Sequence, residues 1–467
     1  MNSEISHSLL AIEKLFPLPL TPFETYMVID DKPDYPSSTS AQYVFRGEIS
    51  NREKFTRAFF KAAESQPSFY VRLAKKGNKY FWTADVSTPL PLIYETSEKD
   101  FTQETTGETP FDSFDITQRP GVFFRVIEGV NSVLIDFRIH HSLSDGVGMN
   151  QFIAAWIDYY SQSLDPQPGW QEPLYNIVQY STRDNLFQNP DKRAFSERFH
   201  AIKSNVGNFF AKKPWEIQNL KDSPYCPPVS EPPQEKGIRL PSASWFLLTQ
   251  DKQAQYHAAA KRLNVSMNTL LIRDLFLTIK RWSDASGKEI KKNELIRVLM
   301  PRNLRNEHHV FLPCTNVVGY TFMDCLPEKC NLSAEFLDYI DGKTRRNDNT
   351  TLFIKALKYF LYLPWLFRKI TSRKCLSSAV ISNVGNIIRS VPQKRFIEQN
   401  ALFAPGLRLH SIHISPLCRP GTPVTAGISV VENNTVIAFT LDRMHFNSES
   451  SSAFIELFFD QMEQSIK

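Results

Sequence analysis

The residues best suited to chemistry are two adjacent histidines followed closely by an aspartate and a glycine. They lie in Ser132 to Gly148, which reads SVLIDFRIHHSLSDGVG. An imidazole has an ordinary pKa near ~6.5, so it can accept a proton close to neutral pH. Asp145, four residues after His141, has three roles open to it: orienting the imidazole, capping a helix, or pairing with an arginine. Gly146 permits a tight turn that a side chain would obstruct.

The residues around this motif predict a strand that leads into a helix. Four apolar residues alternate on one face of the strand: Val133, Ile135, Phe137 and Ile139. His141 has the same parity, so it points toward the apolar interior if the strand continues, whereas His140 points to the other face. The helical period of the apolar residues from Val147 to Leu164 predicts the helix. A buried core histidine with a capping aspartate is the alternative interpretation, but the complete pattern favours catalysis.

The composition is typical of an ordinary folded protein. Of the 467 residues, 42% are hydrophobic and 22% are charged, which excludes wholesale disorder. The net charge of +5 is far from the basic excess of a nucleic-acid-binding protein. The sequence has no signal-peptide pattern and no run of ~20 apolar residues. We therefore expect a cytoplasmic protein.

The motifs of several other enzyme classes are absent from the sequence. It contains no GxSxG elbow, no phosphate-binding GxxxxGK[ST] loop and no GxGxxG fingerprint. None of the six cysteines forms a CxxC pair, so neither a zinc ribbon nor a thioredoxin-type site is indicated. His308 and His309 lack carboxylates or thiols at ligand spacing, which favours a solvated loop pair over a metal site. We expect no metal and no permanently bound cofactor.

Strands and helices are predicted on both sides of a proline-rich stretch. The predicted strands are Ala41–Gly47, Gly121–Ile127, Ser132–His140, Leu295–Met300, Val424–Val431 and Thr435–Leu441. The predicted helices are Arg52–Ser65, Val147–Leu164, Asp251–Leu263, Met267–Ser283 and Ser448–Ser465. We predict an N-terminal subdomain (1–220), a proline-rich linker (221–242) and a C-terminal subdomain (243–467).

The segment from His140 to Gly146 resembles the HHxxxDG motif of the CoA-dependent acyltransferase superfamily. Its members include chloramphenicol acetyltransferase, condensation domains of nonribosomal peptide synthetases, alcohol acetyltransferases and wax ester synthases. Other resemblances are Met300–Arg305 (a strand ending in an arginine), Asn316–Gly319 (NVVG) and Ile381–Gly385 (a Ser-Asn-x-Gly segment). The DFGWG motif of plant-type members is absent. The resemblance covers the chain from about Leu18 to its end.

This resemblance implies an α/β fold of sandwich type. Two chloramphenicol-acetyltransferase-like subdomains would share an active-site tunnel between them. His141 would be the general base that activates an alcohol or amine acceptor, and the acyl group would come from an acyl-CoA or an acyl carrier protein. Nucleic acid is not an expected partner.

The resemblance also assigns roles to the residues around His141. His140 supports the turn, and Asp145 faces away from the substrate and pairs with Arg305 to hold the loop. Ser382 and Asn383, together with nearby backbone N–H groups, are the implied oxyanion donors. For Ser382 and Asn383 a simple strand-end turn is the alternative interpretation, since asparagine and glycine favour turns.

Two alternatives to a simple acyltransferase stay open. One is a non-catalytic homologue that binds an acyl carrier protein, and the other is an epimerisation-type reaction that uses the same motif. The segment from Leu352 to Lys374 is apolar with basic flanks. We interpret it as a core-packing helix in preference to a patch that contacts anionic lipid or the phosphates of the acyl donor.

Overall fold

The computed structural model describes residues 7–173, 175–184, 213–217, 242–286, 289–345, 375–419 and 421–467. Its helices are α1 His7–Leu15, α2 Pro22–Asp30, α3 Arg52–Ala63, α4 Gly146–Leu164, α5 Gln250–Arg262, α6 Met267–Ala285, α7 Ala334–Arg345, α8 Lys394–Gln399 and α9 Ser448–Ile466. The predicted linker, except for Ser242, and the segment from Leu352 to Lys374 lie outside the described residues.

The strands fall into three sheets. They are β1 Leu18–Pro19, β2 Ser38–Gly47, β3 Val71–Lys76, β4 Lys79–Ala84, β5 Leu92–Thr96, β6 Thr106–Pro110, β7 Val122–Gly129, β8 Ser132–His140, β9 Lys213–Pro214, β10 Ser242–Leu247, β11 Glu294–Asn303, β12 Val318–Cys325, β13 Ala379–Asn386, β14 Phe403–Ala404, β15 Leu407–Ser415, β16 Val424–Val431 and β17 Asn434–Leu441. The smallest sheet has the order β1-β4-β3.

The first large sheet positions the histidine pair. Its order among the described residues is β14-β15-β2-β8-β7-β5, and β8 is paired along its length with β2 and β7. Aromatic side chains fill the core between this sheet and the helices α3 and α4. The ring of Phe59 lies 4.8 Å from that of Phe124, and Phe152 lies 5.6 Å from Phe137. This packing fixes the junction between β8 and α4, where the motif lies.

The second large sheet contains β13, which lies next to this junction. Its order among the described residues is β12-β11-β13-β16-β17-β10-β6, with β9 beside β11. The parallel pairing of β11 with β13 is confined to Val298–Ala379 and Leu299–Val380. Beyond those pairs, Pro301 of β11 and Ser382 of β13 line a cavity. The last of these pairs, Leu299–Val380, also lines the cavity, which therefore lies at the end of the pairing between β11 and β13.

Strands are exchanged between the two halves of the chain. β6 comes from the N-terminal half but pairs with β10 in the second sheet, while β15 comes from the C-terminal half and pairs with β2 in the first sheet. Main-chain hydrogen bonds therefore join the two halves of the chain in both large sheets. The division into 1–220 and 243–467 stays a prediction, and it did not anticipate these exchanges.

Several predicted elements are found at or near their predicted ends. β8 and β16 have the predicted bounds, and α4 begins one residue earlier than predicted, at Gly146. The sequence analysis missed β10, β13 and β15, although β15 is nine residues long. Within the part of the chain that the structure describes, no helix combines the length and hydrophobicity needed to span a bilayer.

Candidate active site

His140 ends β8 and holds the turn that follows. The main-chain N–H of Ser142 donates to His140 Nδ1 at 3.2 Å, and the Ser142 hydroxyl lies 2.6 Å from the same nitrogen. Because Nδ1 accepts a bond from a main-chain N–H, the ring proton is assigned to Nε2. Nε2 faces Asp31 Oδ2 at 3.6 Å, and the residue is only 1% exposed. His140 is therefore built into the turn rather than presented to a ligand.

His141 is the first residue after the strand, and main-chain bonds fix its position. Its N–H donates to the carbonyl of Ser37 at 2.6 Å, and its carbonyl accepts from Asn316 Nδ2 at 2.7 Å. The strand ends at His140, so the alternation of β8 does not set the direction of the His141 ring. That ring lines the cavity between the two sheets. Its Nδ1 is buried and has no hydrogen-bond partner among the described residues.

Both halves of the chain contribute to this cavity, which has a volume of about 120 Å³. His141 and Gly146 line it from the first half, and Ser382 and Val384 of β13 line it from the second. Burial lowers the pKa of His141 below its ordinary 6.5, although the nearby charge of Asp145 acts in the opposite direction. The imidazole is therefore neutral at pH 7 and has a lone pair available to accept a proton.

Asp145 caps α4 and pairs with the second half of the chain. One carboxylate oxygen accepts from the Gly148 N–H at 2.9 Å, and the other accepts from the Val317 N–H and from Arg305, both at 2.8 Å. The side chains of Asp145 and Arg305 are 4% and 7% exposed. Of the three roles that the sequence left open, the structure thus shows the helix cap and the ion pair.

Arg305 extends this link into the loop after β11. It also donates to the carbonyl of Thr315 at 2.8 Å, so one guanidinium joins the turn to the segment that carries Asn316. The neighbouring Arg302 lies elsewhere and donates to the carbonyl of Thr344. The structure therefore brings Asp145 and Arg305 together, as the resemblance implied, and leaves Arg302 out of this contact.

Gly146 is required by a close approach between the two halves. A Cβ on this residue would lie 2.9 Å from Val384 Cγ1, and its φ is outside the left-handed region. The sequence analysis attributed this glycine to a tight turn, but its contact with β13 is the physical reason that the structure gives. The start of α4 can therefore contact β13 only where the side chain is absent.

We predict that Gly146→Ala lowers both turnover and stability, because the added methyl group must displace Val384 from the cavity wall. Overpacking of this kind typically costs about 1–3 kcal/mol, measured as the free energy of unfolding in urea. Gly342→Ala in α7 is the matched control, since a Cβ there meets nothing within 4 Å. That variant should be neutral or slightly more stable. Equal losses in the two variants would contradict the steric argument.

The two predicted oxyanion donors are consecutive residues of β13, so their side chains lie on opposite faces of the strand. Ser382 lines the cavity, whereas the Asn383 amide donates to Asn268 Oδ1 at 3.0 Å and accepts from the Gly385 N–H at 2.7 Å. A bulge lies between Asn383 and Gly385, and Gly385 has a φ of 67°. The Asn383 amide is thus engaged by Asn268 and Gly385, and the structure leaves Ser382 as the side chain of this pair that faces the cavity.

The prediction that His308 and His309 form a solvated loop pair is correct for His308 and wrong for His309. His308 is exposed, as expected of a solvated loop, but His309 is 8% exposed and its Nδ1 accepts from the Asn306 N–H. His309 therefore closes a short turn in the loop that carries Arg305. Within the described ranges, no cluster of three or more histidine, cysteine, aspartate or glutamate side chains is placed to hold a metal ion.

Sequence reasoning missed the residues that hold His141 through its main chain. Ser37 contributes a carbonyl, which carries no side-chain signal, and Asn316 was quoted for its resemblance but given no role. Asn150, which also lines the cavity, was not singled out. Its place four residues after Gly146, on the same helical face, was the signal that could have indicated it.

Comparisons with known proteins identify the fold. The sequence matches no protein-family model, and no curated protein matches it. Three solved structures illustrate the structural likeness. The starter condensation domain of rhizomide synthetase, solved with C8-CoA, has a TM-score of 0.65 and 12% identity over 99% of this chain and 97% of that one. The first condensation domain of the CDA synthetase has a TM-score of 0.67 and 10% identity over 97% of each chain.

An epimerization domain is similar to the same degree. The domain from the third module of tyrocidine synthetase B has a TM-score of 0.64 and 13% identity over 97% of this chain and 96% of that one. The chain therefore has the condensation-domain fold, with two chloramphenicol-acetyltransferase-like halves. The fold class predicted from the sequence is confirmed.

Proposed function

We propose that this protein is an acyltransferase that moves an acyl group from a CoA or carrier-protein thioester to an alcohol or amine. The observation that carries the proposal is the neutral imidazole of His141, held by main-chain bonds in a cavity between the two halves. The likeness to a starter condensation domain solved with C8-CoA supports a CoA thioester as the donor.

In the proposed reaction, His141 takes the proton of the acceptor O–H or N–H as that atom attacks the thioester carbonyl carbon. The carbonyl oxygen becomes an oxyanion, and the hydroxyl of Ser382 and the N–H of Gly146 at the positive end of α4 are the proposed donors to it. Collapse of the intermediate breaks the C–S bond, and the imidazolium returns its proton to the leaving thiolate. The products are an ester or amide and a free thiol.

The charged residues beside the base have a supporting role in this proposal. The pair between Asp145 and Arg305 fixes the turn against the second half, so His141 keeps its position while the acceptor and the thioester enter. His140 holds the same turn through Ser142. The proposed reacting groups are therefore His141 and the oxyanion donors, and the other residues of the motif position them.

Epimerisation is the second candidate because an epimerization domain has the same fold. That reaction removes a proton from a carbon and returns one to the opposite face, so it needs a second acid–base group in the cavity. The described lining offers one imidazole, and burial raises the pKa of each of the three lining tyrosines, Tyr26, Tyr43 and Tyr320, so none of them is a ready base. This composition favours transfer, for which one base is sufficient.

Product analysis would test the proposal directly. The purified protein is incubated with a panel of acyl-CoAs and mixed alcohols and amines, and the products are identified by mass spectrometry. We expect an ester or amide together with one equivalent of free CoA. Hydrolysis alone, or a chiral aminoacyl thioester returned with inverted configuration, would contradict transfer.

We also predict a pH profile with a single limb on the acidic side. Only neutral His141 accepts a proton, so kcat/KM should rise with pH through its pKa, and the midpoint of the rise should lie below pH 6.5 because burial lowers that pKa. Asp145→Asn removes a charge that raises this pKa, so the limb should move further toward acidic pH. A midpoint above pH 7 would be inconsistent with His141 as the base.

A further inference from the structure

A buried amide lies in the same cavity, one helical turn beyond Gly146. Asn150 of α4 lines the cavity and is 2% exposed. At a rise of ~1.5 Å per residue it lies about 6 Å further along the helix axis than Gly146. Asn150 therefore meets a part of the ligand that is distant from the reacting carbonyl.

The hydrogen bond that Asn150 makes determines which atom of its amide remains free to bond a ligand. The hydroxyl of Tyr43 donates to Asn150 Oδ1 at 2.8 Å. Burial raises the pKa of Tyr43 well above its ordinary 10, so the hydroxyl keeps its proton and stays a donor. The reverse orientation of the amide would leave that proton without an acceptor. Asn150 Nδ2 is consequently the free end, and it has no hydrogen-bond partner among the described residues.

The surroundings of this donor are largely apolar. Ala41, Met149 and Ile414 line the same cavity, and so does Val384. Water in the cavity can satisfy the amide, but a substrate chain that fills the space displaces that water. A plain alkyl chain would leave Nδ2 buried and unsatisfied, which costs about tenfold in affinity. A chain with an oxygen at this depth would replace the lost bond.

We propose that Asn150 is a specificity-determining residue that selects a substrate chain bearing a hydrogen-bond acceptor, such as a hydroxyl, carbonyl or ether oxygen. An amide N–H₂ only donates, so it discriminates in favour of acceptors, whereas a hydroxyl such as Ser382 can bond with either kind of group. The inference rests on the proposed function for the identity of the cavity as the substrate site. The oxygen-bearing chain belongs either to the acyl donor or to the alcohol acceptor, and the two arms of the test separate them.

The test measures binding, so it needs no turnover. In the first arm, calorimetry compares octanoyl-CoA with the positional isomers of hydroxyoctanoyl-CoA, and in the second it compares octanol with the octanediols. The wild-type protein should bind at least one oxygenated isomer about tenfold more tightly than its plain parent, in one of the two arms. In Asn150→Leu the preference should vanish, because the apolar side chain accepts the plain chain equally well. The arm that shows the preference identifies whether the oxygen-bearing chain belongs to the acyl donor or to the acceptor.

A second variant keeps the inference testable if Asn150→Leu does not fold. Tyr43→Phe keeps the amide but removes the bond that orients it, so Asn150 can turn and the preference should weaken. Circular dichroism establishes that each variant is folded. Equal binding of parent and isomers by the wild type in both arms, or a preference that survives in both variants, overturns the inference. If the protein prefers oxygenated ligands but turns over no thioester, the proposed function is wrong and this inference stands. If it turns over thioesters but binds plain and oxygenated ligands equally, this inference alone is wrong.

Discussion

Replacing His141 with alanine should reduce thioester turnover by about 10²–10⁴, the range expected when a general base is lost. The loss should appear in kcat with little change in KM, because the imidazole acts on the acceptor proton in the transition state. Release of free thiol from acyl-CoA, measured spectroscopically, gives the rate. Acylation of the acceptor should fall in parallel when it is followed by mass spectrometry.

The same variant should remain folded, for a reason that the structure supplies. The bonds that hold this position are the N–H to Ser37 and the carbonyl to Asn316, and both belong to the main chain. Alanine keeps them, and it also removes a ring nitrogen that is buried without a partner. The melting temperature should therefore stay within a few degrees of the wild-type value.

His308→Ala is the matched control for the catalytic assignment. His308 also belongs to an adjacent histidine pair, but its side chain is 56% exposed and lies outside the cavity. Its replacement should leave turnover unchanged. If His141→Ala retains full activity, or if both variants lose it equally, then the general-base assignment is wrong.

Local sequence patterns were sufficient to predict the elements around His141. Alternation over nine residues defined β8, and the helical period together with a capping aspartate defined α4. These patterns involve residues only a few positions apart, so they can be recognised in a single sequence. The main-chain position of His141 could not be predicted in this way, because the Ser37 carbonyl and the Asn316 amide that bind it lie far away in the sequence.

Contacts between distant parts of the chain were predicted only where a family resemblance supplied them. Asp145 and Arg305 are 160 positions apart, and no spacing rule relates them. The exchanges of β6 and β15 were missed because neither strand was itself predicted, and the side-chain alternation of a strand does not specify which strand it pairs with. Asn383 was predicted to face the substrate, but strand alternation in β13 places Ser382 and Val384 on the cavity side, and the Asn383 amide donates to Asn268 instead.

The second large effect should come from the buried ion pair between Asp145 and Arg305. Asp145→Asn can keep the helix cap through its amide oxygen, but it removes the charge and replaces the oxygen that accepts from Arg305 and the Val317 N–H with an N–H₂ group. The guanidinium of Arg305, 7% exposed, then stays buried without a counter-ion. Breaking a buried pair in this way costs about 3–5 kcal/mol, so the urea midpoint should fall markedly. Arg305→Ala should give a similar loss because it leaves the buried carboxylate of Asp145 without its counter-ion.

The double variant tests whether the two single losses of stability come from the interaction between Asp145 and Arg305. If the two side chains act as a pair, the loss in Asp145→Asn/Arg305→Ala should be clearly smaller than the sum of the single losses. The exposed pair Lys394–Glu398, in which the side chains are 87% and 61% exposed, provides the control, and its disruption should leave the midpoint unchanged. Turnover should fall along with stability, because the turn that carries His141 loses its tie to the second half. A variant that loses activity with its stability intact would show instead that Asp145 acts on the substrate.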